Sequence, residues 1–484
     1  MPRRRAALAA LLLVSGCATN PVTGRREFTL VTPAQEEQIG REGYAAVRAE
    51  YGVYEDSTLQ RYVSGVGRRV ARASQLPDLD WHFTVIDDPA VNAFAMPGGY
   101  IYVTRGILAD LNSEAQLAGV LGHEIGHVNA RHTARQITSQ ELAGLGLGIA
   151  GALSPSFARY GGVAQQALGL MFLKYSRAHE TEADELGVQY ATRAGYDARE
   201  MPATYHMLAR VSERAGQRLP GFLSTHPDPG DREERTRELS RAAASGHADL
   251  AVSRSGYLDH MNGLVYGPDP RQGYFEGDRY FNPAIKLELT LPPGWTHRDS
   301  RAALVATLPG GSGGTRAAMQ VSTVAAGSPT PGVYVGDLYR RGAIAGSDGG
   351  GESIGGHRAW VGRVAVTNSA GQTEWLPATW VRWTPELMLQ ILGETSANGD
   401  GNEARIFASA RSVRDLTDPR RLEVKPDRVR VERAGSAGAF AVVVPKLGSQ
   451  AVGLEETAIM NDLVADDPVA AGTPLKIVAP GRPR

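Results

Sequence analysis

From Gln35 to about Ala73 apolar side chains recur at near-helical spacing (Ile39, Tyr44, Val47, Leu59, Tyr62, Val63, Val66), which predicts helix. WHFTVID (81–87) then reads as a strand. NAFAMPGGYIYVTRGIL (92–108) reads as a Pro-Gly-Gly turn followed by a second strand, YIYVT. The next helix has Ser113 as its cap and Gln116 three residues on, a capping box. Its apolar stripe is Leu117, Val120, Leu121, Ile125 and Val128. Residues 141–173 are rich in Gly, Ala and Leu but broken by Ser154, Pro155 and Arg159, so neither half reaches the ~18 residues of a membrane span. They read as amphipathic helices joined by a loop. A strong helix runs from about Ser176 to Ala194 with Gly195 as its stop, and others follow near 200–215 and 230–244.

From about residue 255 the texture changes. IKLELTL (285–291), MQVSTV, WVGRVAV and ATWVRW read as strands, and PGGSGGT (309–315) and GSDGGGESIGG (346–356) as loops. Residues 420–479 carry short strand signals (LEVKP, FAVVV, LKIV) around a helical piece near ETAIMNDL. No solenoid-type repeat is evident.

A chain of 484 residues exceeds one compact core and suggests two to three domains. The formal net charge of −1 and the lack of long single-sign runs argue against nucleic acid as a partner. The N-terminus is different. Arg3, Arg4 and Arg5, the short apolar run AALAALLLV and the small residues Ser15 and Gly16 make a secretory signal over 1–16. Cys17, the sole cysteine, ends a Val-Ser-Gly-Cys stretch that resembles the lipobox of bacterial lipoproteins. That resemblance implies cleavage before Cys17 and lipid on its thiol. Ala18, where an aspartate would signal retention at the inner membrane, then favours the outer membrane facing the periplasm. The rival reading is an ordinary signal peptide with an incidental cysteine. With one cysteine, no internal disulfide forms.

Residues 121–132 read LGHEIGHVNARH. Positions i and i+4 share a helix face, so His123 and His127 can offer two imidazoles to one zinc ion. Glu124 leans toward the position left open and can take a proton from the water that attacks a peptide carbonyl. The bland alternative is two solvent-facing histidines, but the small apolar flanks suit a buried helix, and buried histidines need partners. SRAHETEADELG (176–187) supplies a third ligand. Glu180 can complete the site, and Asp184, one turn on, can hydrogen-bond a ligand histidine from behind. Glu182 lies on the other face, and His179 points about 100° away from Glu180.

Together these motifs resemble a gluzincin family that contains the CAAX-prenyl protease, the HtpX heat-shock membrane peptidase, mitochondrial Oma and the periplasmic BepA-like proteases. NAFAMPGGYIYVTRGIL resembles its edge-strand segment, SRAHETEADELG its third-ligand helix, and LSTHPDPGDR (223–232) its Ser-Thr-His-Pro motif with a downstream arginine. NPVTGRREFTLVTPAQEEQIG (20–40) resembles the lipoprotein branch. The likeness covers roughly residues 20–245. It implies one zinc per chain on His123, His127 and Glu180, Glu124 as base, Asp184 behind a ligand, and His226 and Arg232 close by. In the BepA-like branch the matching histidine can cap the zinc, so His226 is either a restraint or a participant in catalysis. The resemblance also implies that the segment from Asn92 (Asn92, Ala93, Phe94, Ala95, Gly98, Gly99, Tyr100) holds an extended substrate by strand addition.

The expected fold class is α+β. A tether (17–34) leads to a mainly helical zincin-type metallopeptidase domain with a small edge-strand sheet (35–255). A β-rich domain (260–416) and a small α+β module (420–479) follow. The tail TAIMNDLVADDPVAAGTPLKIV (457–478) resembles the end of a LysM-like module, which implies contact with peptidoglycan. The expected function is a lipid-anchored zinc endopeptidase acting on unfolded, misfolded or stalled envelope proteins. The rivals are a chaperone-like scaffold with a largely silent zinc site and a wall-binding structural lipoprotein.

Overall fold

The computed structural model describes residues 17–146, 174–215, 229–309, 317–367, 371–395 and 401–481, together with Phe222 and His226. The signal segment 1–16 and the greater part of the Gly/Ala/Leu-rich stretch lie outside the described residues. The chain divides into two compact units: Met1–Pro268 with Asp427–Arg484, and Asp269–Pro426.

The first unit opens with a hairpin, β1 (Cys17–Thr19) against β2 (Arg26–Phe28), with Cys17 opposite Phe28. Residues 17–34, read above as an extended tether, are therefore folded back on themselves. Helix α1 (Pro33–Tyr51) has a complete capping box, with Thr32 Oγ1 accepting from Gln35 N and Gln35 Oε1 from Thr32 N. It stops at Gly52, whose φ of 71° suits glycine. The helical pattern of 35–73 is thus two helices, and α2 (Ser57–Ala71) restarts on an Asp56 cap.

Strands β3 (His82–Ile86), β4 (Ala93–Met96) and β5 (Tyr100–Thr104) form a sheet in the order β3-β5-β4. β4 and β5 are an antiparallel hairpin about Pro97, Gly98 and Gly99, and β3 runs parallel to β5. Among the described residues one side of β4 has no strand neighbour.

Among the described residues seven α-helices follow: α3 (Arg105–Asp110), α4 (Glu114–Asn129), α5 (His132–Gly146), α6 (Arg177–Arg193), α7 (Met201–Ala215), α8 (Pro229–Ala244) and α9 (Arg254–Met261). All of α4 is buried except Glu114 and Val128. A helix with no exposed face belongs at the centre. Leu117, Leu121 and Ile125 share one core with Val63 and Val70 of α2, Ile101 and Val103 of β5, and Leu186 and Tyr190 of α6. At the start of α4 the capping box is half formed. Ser113 Oγ accepts from Gln116 N, but Gln116 Oε1 takes its proton from Asn112 N.

The second unit is β-rich. Its main sheet is antiparallel and seven-stranded, in the spatial order Gly346–Ile354, His357–Thr367, Thr373–Arg382, Leu387–Thr395, Ala317–Ala325, Ala303–Thr307, Thr296–Asp299. A smaller sheet holds Tyr274–Glu276, Arg279–Asn282, Leu287–Thr290 and Arg414–Asp415, with helices Pro331–Arg340 and Asn402–Arg411 beside them. The segment 346–354, read as a loop, is a strand paired along its whole length with His357–Thr367. It is an edge strand with most residues exposed, so it carries no apolar alternation to betray it.

After Pro426 the chain returns to the first unit. Arg428–Arg433 pairs antiparallel with Pro474–Ala479, and helices Phe440–Val443 and Leu454–Met460 lie between them in sequence. FAVVV (440–444) is helical rather than extended. Phe440, Val443 and Val444 are buried at helical spacing while Val442 faces out. LEVKP (422–426) is not a strand either: Leu422 ends the helical turn Pro419–Leu422, and 423–426 form no helix or strand. Val429, Ile459, Met460 and Val478 join the core that holds Tyr257 and Leu264. Lys476, fully buried, donates to Ala109 O at 2.7 Å and Leu111 O at 2.6 Å. Among the described residues no helix is long and apolar enough to cross a membrane.

Candidate metal centre

The site sits where α4 meets α6. Glycines set their separation: a Cβ on Gly187 would lie 2.9 Å from His123 N, and one on Gly122 would lie 3.0 Å from Gly187 O. A side chain at either position would push the helices apart. α6 begins on a Ser176 cap, where Ser176 Oγ accepts from His179 N, and ends before Gly195 at φ 85°. This framing projects Glu180 and Asp184 toward α4.

His123 and His127 approach through their Nε2 atoms, 3.0 Å apart. Glu180 Oε2 lies 3.5 Å from His123 Nε2, and Oε1 lies 3.5 Å from His127 Nε2. His226 closes the group, its Nδ1 3.0 Å from Glu180 Oε1 and 3.3 Å from His123 Nε2. One ligand atom from each of these four buried residues falls within 4.8 Å of the others.

Glu124 is fully buried, and among the described residues neither of its oxygens has a hydrogen-bond partner. The nearest ring nitrogen is His226 Nε2, 3.7 Å away. Burial pushes the Glu124 carboxyl up. Orphaned buried oxygens call for a partner, and imidazoles with a carboxylate are a donor set that fits a catalytic metal.

Behind His123, Asp184 Oδ1 meets Nδ1 at 3.0 Å. Asp184 also accepts from Tyr205 OH at 2.6 Å, Arg232 Nη2 at 2.7 Å and Arg235 Nη2 at 2.6 Å. Arg232 Nη1 lies 2.7 Å from Glu180 Oε2. Burial opposes charge on both carboxylates, but Arg232 with His123 holds Asp184, and His226 with Arg232 holds Glu180, well below the usual range. Burial likewise disfavours a proton on His123, yet its bonds to Asp184 and Glu180 push it up to about 9. His127 is pushed well down by burial and by His123.

The structure thus brings together His123, Glu124, His127, Glu180, Asp184, His226 and Arg232. Of the segment expected to hold substrate, Ala95 lines a small cleft together with Met96, Pro97, His127, Val128 and Arg131. Asn92, Ala93 and Phe94 lead into that edge. Gly98 packs instead on the Glu37 backbone, Gly99 on the Asp80 backbone, and Tyr100 on the His82 ring. Cys17 starts β1. Tyr205 and Arg235 carry no motif signal. His132 was visible in the quoted stretch but at i+5 from His127, off the helical face. It reaches the site because Arg131, at φ 55°, turns the chain between α4 and α5.

Residues 57–241 match peptidase family M48. The chain is 34% identical over 219 residues to the mitochondrial metalloendopeptidase OMA1 of Schizosaccharomyces pombe, covering 43% of this chain and 61% of that protein. It is 27% identical over 258 residues to the beta-barrel assembly-enhancing protease of Escherichia coli, covering 50% and 52%. It is 30% identical over 289 residues to the mitochondrial metalloendopeptidase OMA1 of Bos taurus, covering 56% and 53%. The chain therefore spans less than two thirds of the length of these relatives.

Proposed function

We propose, from the match of residues 57–241 to peptidase family M48, that the chain is a zinc metalloendopeptidase of the bacterial cell envelope, hydrolysing peptide bonds of misfolded or stalled envelope proteins. The observation that carries this reading is the convergence of His123, His127 and Glu180 beside an unpartnered, buried Glu124.

In this reading His123, His127 and Glu180 hold one zinc ion. A bound zinc would lower the pKa of water and polarise the scissile carbonyl. Glu124 removes the proton from the attacking water and hands it to the leaving amine as the C–N bond breaks, which returns the carboxylate. Asp184 fixes the Nδ1–H tautomer of His123, which leaves Nε2 free to ligate. Arg232 steadies both Asp184 and Glu180. An extended substrate adds to the free side of β4, main chain to main chain, with Ala95 nearest the cleft.

A second reading is supported by the position of His226. Its Nδ1 lies among the other donor atoms, so it can occupy the coordination position that water needs. The chain would then be a self-restrained peptidase or a client-binding scaffold.

The envelope location is supported by the lipobox-like Cys17 and by the beta-barrel assembly-enhancing relative, with lipid on Cys17 as the anchor and the outer membrane as the site. The pairing of Arg428–Arg433 with Pro474–Ala479 around the helices Phe440–Val443 and Leu454–Met460, with a second short pair between Gly438–Ala439 and Pro468–Val469, supports a LysM-like module and, through it, peptidoglycan as a partner. Cleavage of an unfolded protein by the purified full chain, loaded with one zinc, is the direct test. Glu124→Gln is expected to retain the ion and lose activity by about 10²–10⁴-fold. Equal cleavage by both would end the peptidase reading. If neither cleaves, His226→Ala separates the restrained enzyme, which gains activity, from the scaffold, which does not.

A further inference from the structure

His127 has a neighbour that the ligand set does not use. Its Nδ1 lies 2.9 Å from Nδ1 of His132, a fully buried residue. His132 Nε2 lies 3.1 Å from Glu182 Oε2, and the same carboxylate oxygen accepts from Arg135 Nη1 at 3.0 Å. His179 stacks on the His132 ring at 4.4 Å between centroids, and Tyr175 stacks on His127 at 4.1 Å. Both imidazoles are therefore locked in plane as well as in position.

With both imidazoles neutral, the hydrogen bonds along this row have one solution. Glu182, paired with Arg135, is a carboxylate and can only accept. His132 Nε2 must then carry a hydrogen, and in the neutral ring Nδ1 is left as an acceptor. His127 Nδ1 must donate to it, which leaves His127 Nε2 with its lone pair facing His123 and Glu180. A carboxylate two rings away thus chooses the tautomer of a ligand.

We propose that His132 and Glu182 are positioning residues for His127, a relay that presets its Nε2 for the metal just as Asp184 presets His123. The inference rests on the zinc reading of the site. It gives Glu182 a role on the face of α6 that does not touch the ion. The left-handed turn at Arg131 becomes a requirement, since a continuous helix would carry His132 away from His127.

The test is zinc affinity of the full chain, measured by competition with a chelator, together with the absorption spectrum of the cobalt-substituted protein. Glu182→Met keeps the length of the side chain and removes the acceptor. Glu182→Gln keeps an acceptor. His132→Phe breaks the relay at a second point, and Glu185→Ala, exposed on the same helix, is the control. Glu182→Met and His132→Phe are expected to bind zinc about 10–100-fold more weakly and to alter the cobalt spectrum, with Glu182→Gln close to wild type. Melting of the metal-free variants reports on folding separately. A folded Glu182→Met or His132→Phe protein with the zinc affinity and cobalt spectrum of Glu185→Ala overturns the relay. Wild-type chain that takes up no zinc removes the metal reading and the relay with it.

Discussion

Asp184 concentrates more hydrogen bonds than any other carboxylate at the site, accepting from His123, Tyr205, Arg232 and Arg235. Its folded pKa is depressed below that of the unfolded chain. Its contribution to stability is therefore complete above about pH 4 and is lost as pH falls. Asp184→Asn leaves two arginines facing a neutral amide in a buried site. Urea unfolding of the metal-free variant is expected to show a loss of about 3–5 kcal/mol, and a change under about 0.5 kcal/mol would contradict this account. His123 makes a separate prediction. Its proton, held up to about 9, competes with the ion for the ring. Zinc affinity should fall by about tenfold per pH unit below pH ~9, with a slope of one because His127 is already bare. Chelator competition at pH 9, 8 and 7 gives that slope, and a flat profile would refute it. His123, Glu124, His127, Glu180 and Asp184 were legible because one helical turn fixes which residues share a face. Tyr205 was not, because nothing local ties it to a motif. Nor was the role of His132, because a single left-handed residue decides where it points.

At the scale of elements, the caps at Ser176 and Gly195 and the stripe of α4 were readable because capping and amphipathicity are short-range. The close approach of α4 and α6 was not. Gly122 and Gly187 look like weak points within helices, and only the packed pair shows that each makes room for the other's backbone. Gly187→Val is expected to part the helices, pull Glu180 from His123 and His127, and weaken zinc binding at least tenfold. Chelator competition checks it, and unchanged affinity would mean that the helices can separate without disturbing the ligands. The edge strand Gly346–Ile354 and the helix Phe440–Val443 escaped the sequence for the opposite reason. In each case neighbours override weak or misleading local preference.

At the scale of the molecule, the sequence announced a β-rich texture after 255 but not that the chain returns to its first unit. Val429, Ile459, Met460 and Val478 are part of that unit's core, and Lys476 bonds two of its carbonyls. Deleting 427–484 is therefore expected to unfold the peptidase unit. Replacing 269–426 by a short flexible linker should leave it folded, because Val265 and Arg428, which flank the excision, already form a bridge. Thermal melting and zinc binding of the two deletions distinguish the cases, and the reverse pattern would show that the C-terminal segment is dispensable. The hairpin at the chain's start has a consequence of another kind. Stretched out, residues 17–34 would reach about 60 Å. Folded, Cys17 is already paired with Phe28, Leu30 N donates to Thr138 Oγ1, and Arg131 holds Val31 O. On the proposed reading, in which Cys17 carries a lipid and the metal centre cuts peptide bonds, the unit would have no leash. It would then work as a stationary blade at the bilayer surface, cutting the chains that come to it there and leaving untouched those that stay farther out.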